Sequence, residues 1–309
     1  MIAKKTYATA PAPLSSIFSP KILRDDEMRK VDQVGARGGG FTLCRGVETR
    51  AEYFPGEEDE NVIYVNDLRT DFVTSLRAIE VSRRRLGLKG RIVLRHRVHV
   101  PIGTGFGTSA SIALTTLLTL FRIAGRGITL REACRIVHEI EVKCKTGLNS
   151  EAGFLSEGLI LVVKEGAPPK VEVNSIPIPH GSMMISVVAS PLDTSGILSK
   201  TAELRRIEEI GDRKIEEILR KPTPENFLRK SKEFAWEAGF ATEKAQEFFE
   251  VFERLPVIGY AQNMIGEAYH ALVLEKNAEK VKEELKETFP EYRVITSEVN
   301  GLIRSSTEP

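Results

Sequence analysis

The sequence predicts an α+β protein in two halves, and three observations carry that expectation. Strand-like runs come before any long helix. An almost wholly apolar segment then follows a glycine-rich turn. From Ser199 onward the apolar spacing is helical until a closing helix and strand. Taken in order, Thr42–Leu43 leading into Val47–Tyr53, then Val62–Val65 and Ile92–Val100, read as strands. Between the last two, Phe72, Leu76, Ile79 and Leu86 recur at helical spacing over Asp71–Leu86. Ala110–Ala124 has the composition of a helix buried on most sides. A further helix runs from Leu130 to about Lys145, capped by Thr129 with Glu132 at the capping-box position and stopped by Gly147. Leu159–Val163, Val171–Val173 and Met183–Ala189 read as strands separated by Gly166, Pro168, Pro169, Pro177, Pro179 and Gly181. The second half spaces Ile207, Ile210, Ile215 and Ile218, then Phe227, Phe234, Phe248, Phe249 and Phe252, as helices do. It ends on a helix over Ala278–Thr288 and a strand over Tyr292–Thr296. The expected division is 1–190 and 191–309.

Composition narrows the function classes. Lys and Arg total 44 against 43 Asp and Glu in 309 residues, which gives no electrostatic ground for a nucleic-acid or acidic-membrane partner. Cys44, Cys134 and Cys144 form no CxxC pair and are odd in number, so a reducing cytoplasm is expected. No apolar stretch approaches the roughly 20 residues that cross a bilayer. His96, His99, His180 and His270 show no zinc-type spacing, and Trp236 with Phe248–Phe252 reads as core.

The segment most informative about chemistry is Pro101–Ser111, PIGTGFGTSAS, immediately before the apolar helix. Glycines at 103, 105 and 107 let backbone N–H groups turn toward an anion, and a helix N-terminus adds partial positive charge. By itself the segment serves equally as a serine-capped strand-to-helix turn. No lysine follows as a Walker A loop requires, and no dinucleotide-type acidic partner stands at the expected distance.

PIGTGFGTSAS resembles the PxxxGLGSSAS phosphate loop of the GHMP kinases, with Phe106 for leucine and Thr108 for the first serine. Further segments are similar to the archaeal pantoate kinases: Pro11–Phe18, Gly35–Thr49, Val137–Ser150 and Gly259–Leu272. The resemblance implies the two-domain GHMP kinase fold, with an N-terminal ribosomal-protein-S5-like domain, a C-terminal ferredoxin-like domain and the active site between them. It implies ATP and Mg2+ as cofactors and phosphorylation of pantoate on the route to coenzyme A. A mevalonate-pathway or homoserine-type kinase and a non-catalytic nucleotide-binding homologue are the alternatives, and a homodimer is left open.

Residue by residue, the resemblance assigns the ATP phosphates to Pro101, Gly103, Gly105, Gly107, Thr108, Ser109, Ala110 and Ser111. It assigns magnesium to Ser109 and Glu141, Glu141 being chosen over Glu139 because His138 precedes it by three. Where the family carries an aspartate the chain has Ser150, so Glu151, one position on, is the candidate catalytic base. Arg37, flanked by glycines that would admit a ligand, is the candidate for the substrate carboxylate. Ser15, Ser16 and Thr194 are candidates for its hydroxyls.

Overall fold

The computed structural model describes residues 4–24, 27–28, 30–190 and 201–307. In chain order the elements begin with β1 (Lys4–Lys21), β2 (Leu23–Arg24), β3 (Glu27–Met28), β4 (Gly35–Pro55), β5 (Glu60–Val65) and β6 (Leu68–Arg69). Next come α1 (Val73–Leu86), β7 (Gly90–Val98), α2 (Thr108–Ile123), α3 (Leu130–Cys144), a 3-10 turn over Ser150–Phe154, β8 (Leu159–Lys164) and β9 (Glu172–Ile176). The remainder is β10 (Ser182–Ser190), α4 (Thr201–Arg220), α5 (Pro224–Glu237), α6 (Glu243–Glu253), β11 (Gly259–Gln262), β12 (Glu267–Leu274), α7 (Glu275–Thr288), β13 (Arg293–Glu298) and β14 (Arg304–Thr307).

Two sheets organise the chain, and the α+β class stands. The larger runs β14-β1-β4-β7-β5-β6, with β8 on β4 and β9 on β8; the smaller runs β11-β12-β10-β13. β4 is long enough to serve two neighbours, pairing with β7 over Val47–Pro55 and with β8 over Gly38–Phe41. The sheets do not divide at residue 190. β10 pairs with β12 and β13, while β14 returns to β1 in the first sheet.

Seven strands, β1, β2, β3, β6, β11, β12 and β14, escaped the sequence reading, and β1 and β12 show why. β1 carries Pro11 and Pro13, which argue against a central strand. It forms because β14 covers it only over Thr6–Thr9, so beyond that point one edge of β1 needs no ladder donor. β12 is buried along almost its whole length, so it shows a continuous apolar run and no alternation. Two smaller expectations also change. α3 ends at the left-handed Lys145, two residues before Gly147, although Thr129 does accept from the Glu132 N–H as expected. Trp236 is 40% exposed and meets Phe249 edge-on, whereas Phe248, Phe249 and Phe252 are core as expected.

The helix behind the glycine loop is seated by a buried polar cluster. His96 of β7 lies between Thr49 of β4 (Nδ1 to Oγ1, 2.7 Å) and Ser75 of α1 (Nε2 to Oγ, 2.6 Å). Thr115 of α2 donates to the Ser111 carbonyl, so it accepts from Thr49, which in turn accepts from His96 Nδ1–H. Both ring nitrogens are therefore satisfied in the neutral ring, and burial lowers the His96 pKa to about 3. A base whose folded pKa lies below its unfolded value loses stability as pH falls through the unfolded value near 6.5. Between pH 7 and pH 5, denaturant titrations should show the parent losing about 2 kcal/mol more stability than His96→Gln. Parallel pH dependences would mean that His96 takes up its proton as readily in the folded state as in the unfolded one.

Candidate active site

The glycine loop has the backbone its composition called for. Gly103, Gly105 and Gly107 all take left-handed conformations, with φ of 77°, 77° and 60°. Gly107 caps α2, and no side chain caps the helix with it, which leaves the first-turn N–H groups for another partner. The loop is also close-packed from behind. A Cβ at Gly105 would come within 2.7 Å of Asn263 Cβ, and one at Gly107 within 2.6 Å of Pro13 Cγ. Of the hydroxyls expected at the phosphates, only that of Ser109 joins a polar pair at the loop's edge. Ser111 is fully buried and donates to the Pro11 carbonyl at 2.7 Å, and Thr108 is nearly buried. Ser111 thus braces α2 against β1.

Ser109 Oγ donates to Glu141 Oε1 at 2.5 Å, which brings the first turn of α2 to the last turn of α3. Glu139, two residues away, instead pairs with Arg135 at the surface. Glu141 is fully buried, and its Oε2 has no hydrogen-bond partner. Burial first, then the nearby Glu151 charge, raises its pKa to about 7; the hydroxyls of Ser109 and, less, Ser150 pull it back. Gly147 makes room for this carboxylate, since a Cβ there would lie 2.7 Å from both of its oxygens. An orphaned buried carboxylate oxygen beside a hydroxyl fits magnesium, a hard ion that takes oxygen ligands and fills its other positions from waters and phosphates. Among the described residues no cluster of three His, Cys, Asp or Glu side chains could hold a metal without such help.

Beside the loop, β1, β4, β8 and residues 148–153 surround a half-open recess of about 440 Å³, mouth included. Ser15, Arg37, Asn149 and Ser150 line it together with apolar walls from Leu14, Phe18, Phe41, Leu148 and Ile160. Ser15 also ties the recess to the loop, because its N–H donates to the Gly105 carbonyl at 3.0 Å. Arg37 lies at the recess but is not a free cation. It donates to Asp212 (3.2 Å) and Glu216 (2.7 Å) of α4 and to the Val163 carbonyl (3.0 Å), so three of its five N–H groups are engaged. The glycines after it line the recess and also serve strand packing. A Cβ at Gly38, Gly39 or Gly40 would fall within about 2 Å of a neighbouring backbone carbonyl.

Two other candidates, Ser16 and Glu151, do not join the recess. Ser16 is fully buried and bonded to His270. Thr194 lies outside the described residues. Glu151 is fully buried, and its Oε1 accepts from His138 Nδ1 (2.8 Å) and Asn149 Nδ2 (3.1 Å). His138 Nε2 donates to the Val31 carbonyl, so both ring nitrogens carry protons. Burial opposes that cation, yet Glu151 outweighs it and holds the His138 pKa above its usual value. A carboxylate tied to a buried imidazolium is a poor base toward the recess. Asn149, which the sequence reading passed over, is the hub here. Its Oδ1 accepts from the Ala36 and Gly166 N–H groups, and it sits in the left-handed region where asparagine is enriched.

The resemblance to the GHMP kinases holds. Residues 73–155, from α1 through the 3-10 turn, match the family model described as the GHMP kinases N terminal domain. The chain is 26% identical over 283 residues to a pantoate kinase of Thermococcus kodakarensis, covering 91% of each. A solved phosphotransferase related to the CoA biosynthesis pathway superposes with a TM-score of 0.83 at 25% identity, covering 98% of each chain. A mevalonate kinase structure shares the fold, with a TM-score of 0.62 at 17% identity over 98% of this chain and all of that one.

The raised pKa of Glu141 has a measurable consequence. A carboxyl whose folded pKa lies above its unfolded value contributes stability that is complete below the unfolded value near 4.5 and is lost as pH rises through about 7. From pH 4.5 to pH 8.5 the parent should lose about 3 kcal/mol relative to Glu141→Gln, which cannot ionise. Equal slopes for the two proteins would show that Glu141 is ionised in the usual range.

Proposed function

We propose that the protein is an ATP-dependent small-molecule kinase that phosphorylates the primary hydroxyl of pantoate, giving 4-phosphopantoate on a route to coenzyme A. The observation that carries this reading is the adjacency of three features: a glycine loop with an uncapped helix, the Ser109–Glu141 pair, and a recess whose one charged lining residue among those described is Arg37. The relatives' names support both the reaction and the acceptor.

In this reading the loop amides and the start of α2 receive the nucleotide phosphates. Ser109 and Glu141 would hold magnesium, which neutralises charge on the phosphates when bound. The acceptor hydroxyl, held in the recess, attacks the γ-phosphorus; its bond to the β-phosphate oxygen breaks, ADP leaves, and the hydroxyl proton is lost. A loose transition state depends mainly on alignment and charge neutralisation, so Ser150 in place of an aspartate is compatible with turnover. The recess chemistry favours pantoate among small hydroxy acids. Apolar walls suit its branched carbon, and Arg37 offers two unengaged N–H groups to its carboxylate. Among the described residues no carboxylate side chain lines the recess to receive the ammonium of homoserine.

The test is a panel of pantoate, mevalonate, homoserine and pantothenate with ATP and magnesium, identifying the phosphorylated product. Pantoate should be the acceptor. Transfer to homoserine or mevalonate alone would remove the acceptor assignment and keep the kinase, and transfer to none would remove both. Ser109→Ala and Glu141→Gln should each lower kcat by about 100-fold or more. Arg37→Ala should raise the pantoate KM by about 10- to 100-fold, the worth of a charged hydrogen bond, with the ATP KM nearly unchanged. An ATP KM that worsens equally would move Arg37 to the phosphates.

A further inference from the structure

The back of the glycine loop is tied to the smaller sheet by a buried chain of side chains that the kinase reading does not use. Asn263, in the turn between β11 and β12, donates from Nδ2 to the Thr104 carbonyl at 2.9 Å. Its Oδ1 lies 2.8 Å from His270 Nδ1, and His270 Nε2 lies 2.9 Å from Ser16 Oγ on β1. Ser16, Asn263 and His270 are all fully buried.

Donor and acceptor roles along this chain are forced. A carbonyl only accepts, so the Asn263 amide must present its NH2 to Thr104 and its oxygen to His270. His270 Nδ1 therefore carries the proton, and because the ring is fully buried with burial alone acting on it, it stays neutral, so Nε2 is bare and Ser16 donates to it. Burial lowers its pKa to about 3. Backbone contacts run alongside. Met264 N–H donates to the Ser15 carbonyl (2.8 Å), Ser15 N–H donates to Gly105 (3.0 Å), and a Cβ at Gly266 would come within 2.7 Å of Thr104 Cα. The same turn thus grips both the loop, at Thr104 and Gly105, and the strand that lines the recess, at Ser15 and Ser16.

We propose that His270, in this single tautomer, and Asn263 are positioning residues that set the placement of the glycine loop relative to the recess wall. The loop has three left-handed glycines and little conformational preference of its own, so the Thr104 carbonyl is a natural point at which to pin it. Removing the Asn263 amide leaves that carbonyl without its buried donor; removing the imidazole leaves the amide free to turn and Ser16 without its acceptor. The consequence for nucleotide binding rests on the kinase reading, whereas the placement of the loop does not.

Two measurements separate the inference from that reading. Hydrogen exchange of the backbone amides in the nucleotide-free protein should show residues 103–107 exchanging about 10-fold faster or more in Asn263→Ala and His270→Phe. The helices α5 to α7 should stay at their parent rates. Calorimetry with magnesium and a non-hydrolysable ATP analogue should then show binding about 10-fold weaker in both variants. If the parent binds no nucleotide, the kinase reading falls and the exchange result still decides the positioning role. Unchanged exchange at 103–107 in folded variants would overturn the proposal, as would faster exchange spread evenly over the protein. Should both variants fail to fold, Ser16→Ala, which removes one hydroxyl from the same chain, should still raise exchange at 103–107. Parent rates there would overturn the proposal.

Discussion

Three stretches of backbone meet behind the glycine loop with no space for side chains between them, and the arrangement of the site depends on that contact. Gly105 lies against the turn at Asn263 and Met264, Gly107 against Pro13, and Gly266 against Thr104. Each approach is closer than a Cβ permits, so all three glycines are required by packing, and Gly105 and Gly107 by their left-handed angles as well. The constraint joins the larger sheet, which carries the loop and the recess, to the smaller sheet, which carries the turn. Both sheets must be formed before the loop has its shape.

The two buried carboxylates near the loop have been given opposite environments. Glu151 is balanced by the His138 cation and by Asn149, so its charge is spent on holding the 3-10 turn to α3. Glu141 Oε1 receives a short hydrogen bond from Ser109 and a long one from Thr146 (3.5 Å), and Oε2 is left without a partner. Burial of a charge that is only half satisfied costs free energy, and the raised pKa of Glu141 expresses that cost. Glu151 Oε2 also lacks a hydrogen-bond partner, but that carboxylate already faces a buried cation, whereas Glu141 meets only hydroxyl donors, which suits it to receive a cation.

Arg37 shows how a charged side chain can line a recess and still be held rigidly. Asp212 and Glu216 of α4 and the Val163 carbonyl fix the guanidinium. Lys21 and Ser19 share the same Asp212, which draws α4 onto the ends of β1 and β4. A cation pre-set in this way loses little side-chain freedom when a carboxylate arrives. The exposed members of the network add little stability by themselves, so its value lies in orientation.

The sequence by itself determined the loop, most of the helices and the strands that alternate. These depend on neighbours a few residues away: glycines before a helix, Thr129 with Glu132 at a cap, apolar residues at helical spacing. It also singled out Ser109 and Glu141 by motif. What it could not determine were features settled by partners distant in the chain. β1 is a strand despite Pro11 and Pro13 because β14 leaves that part of its edge uncovered. Ser16 is claimed by His270, 254 residues away, and Arg37 by Glu216, 179 residues away, so neither is the free group that its local surroundings suggested. Glu151 looked available because the residue that holds it, His138, lies on a different turn of chain, brought close only when α3 packs against the 3-10 turn. Local pattern specifies conformation, since torsions and short-range hydrogen bonds answer to near neighbours. Whether a polar side chain is free to act is a question of burial and pairing, and those exist only once the sheets have closed.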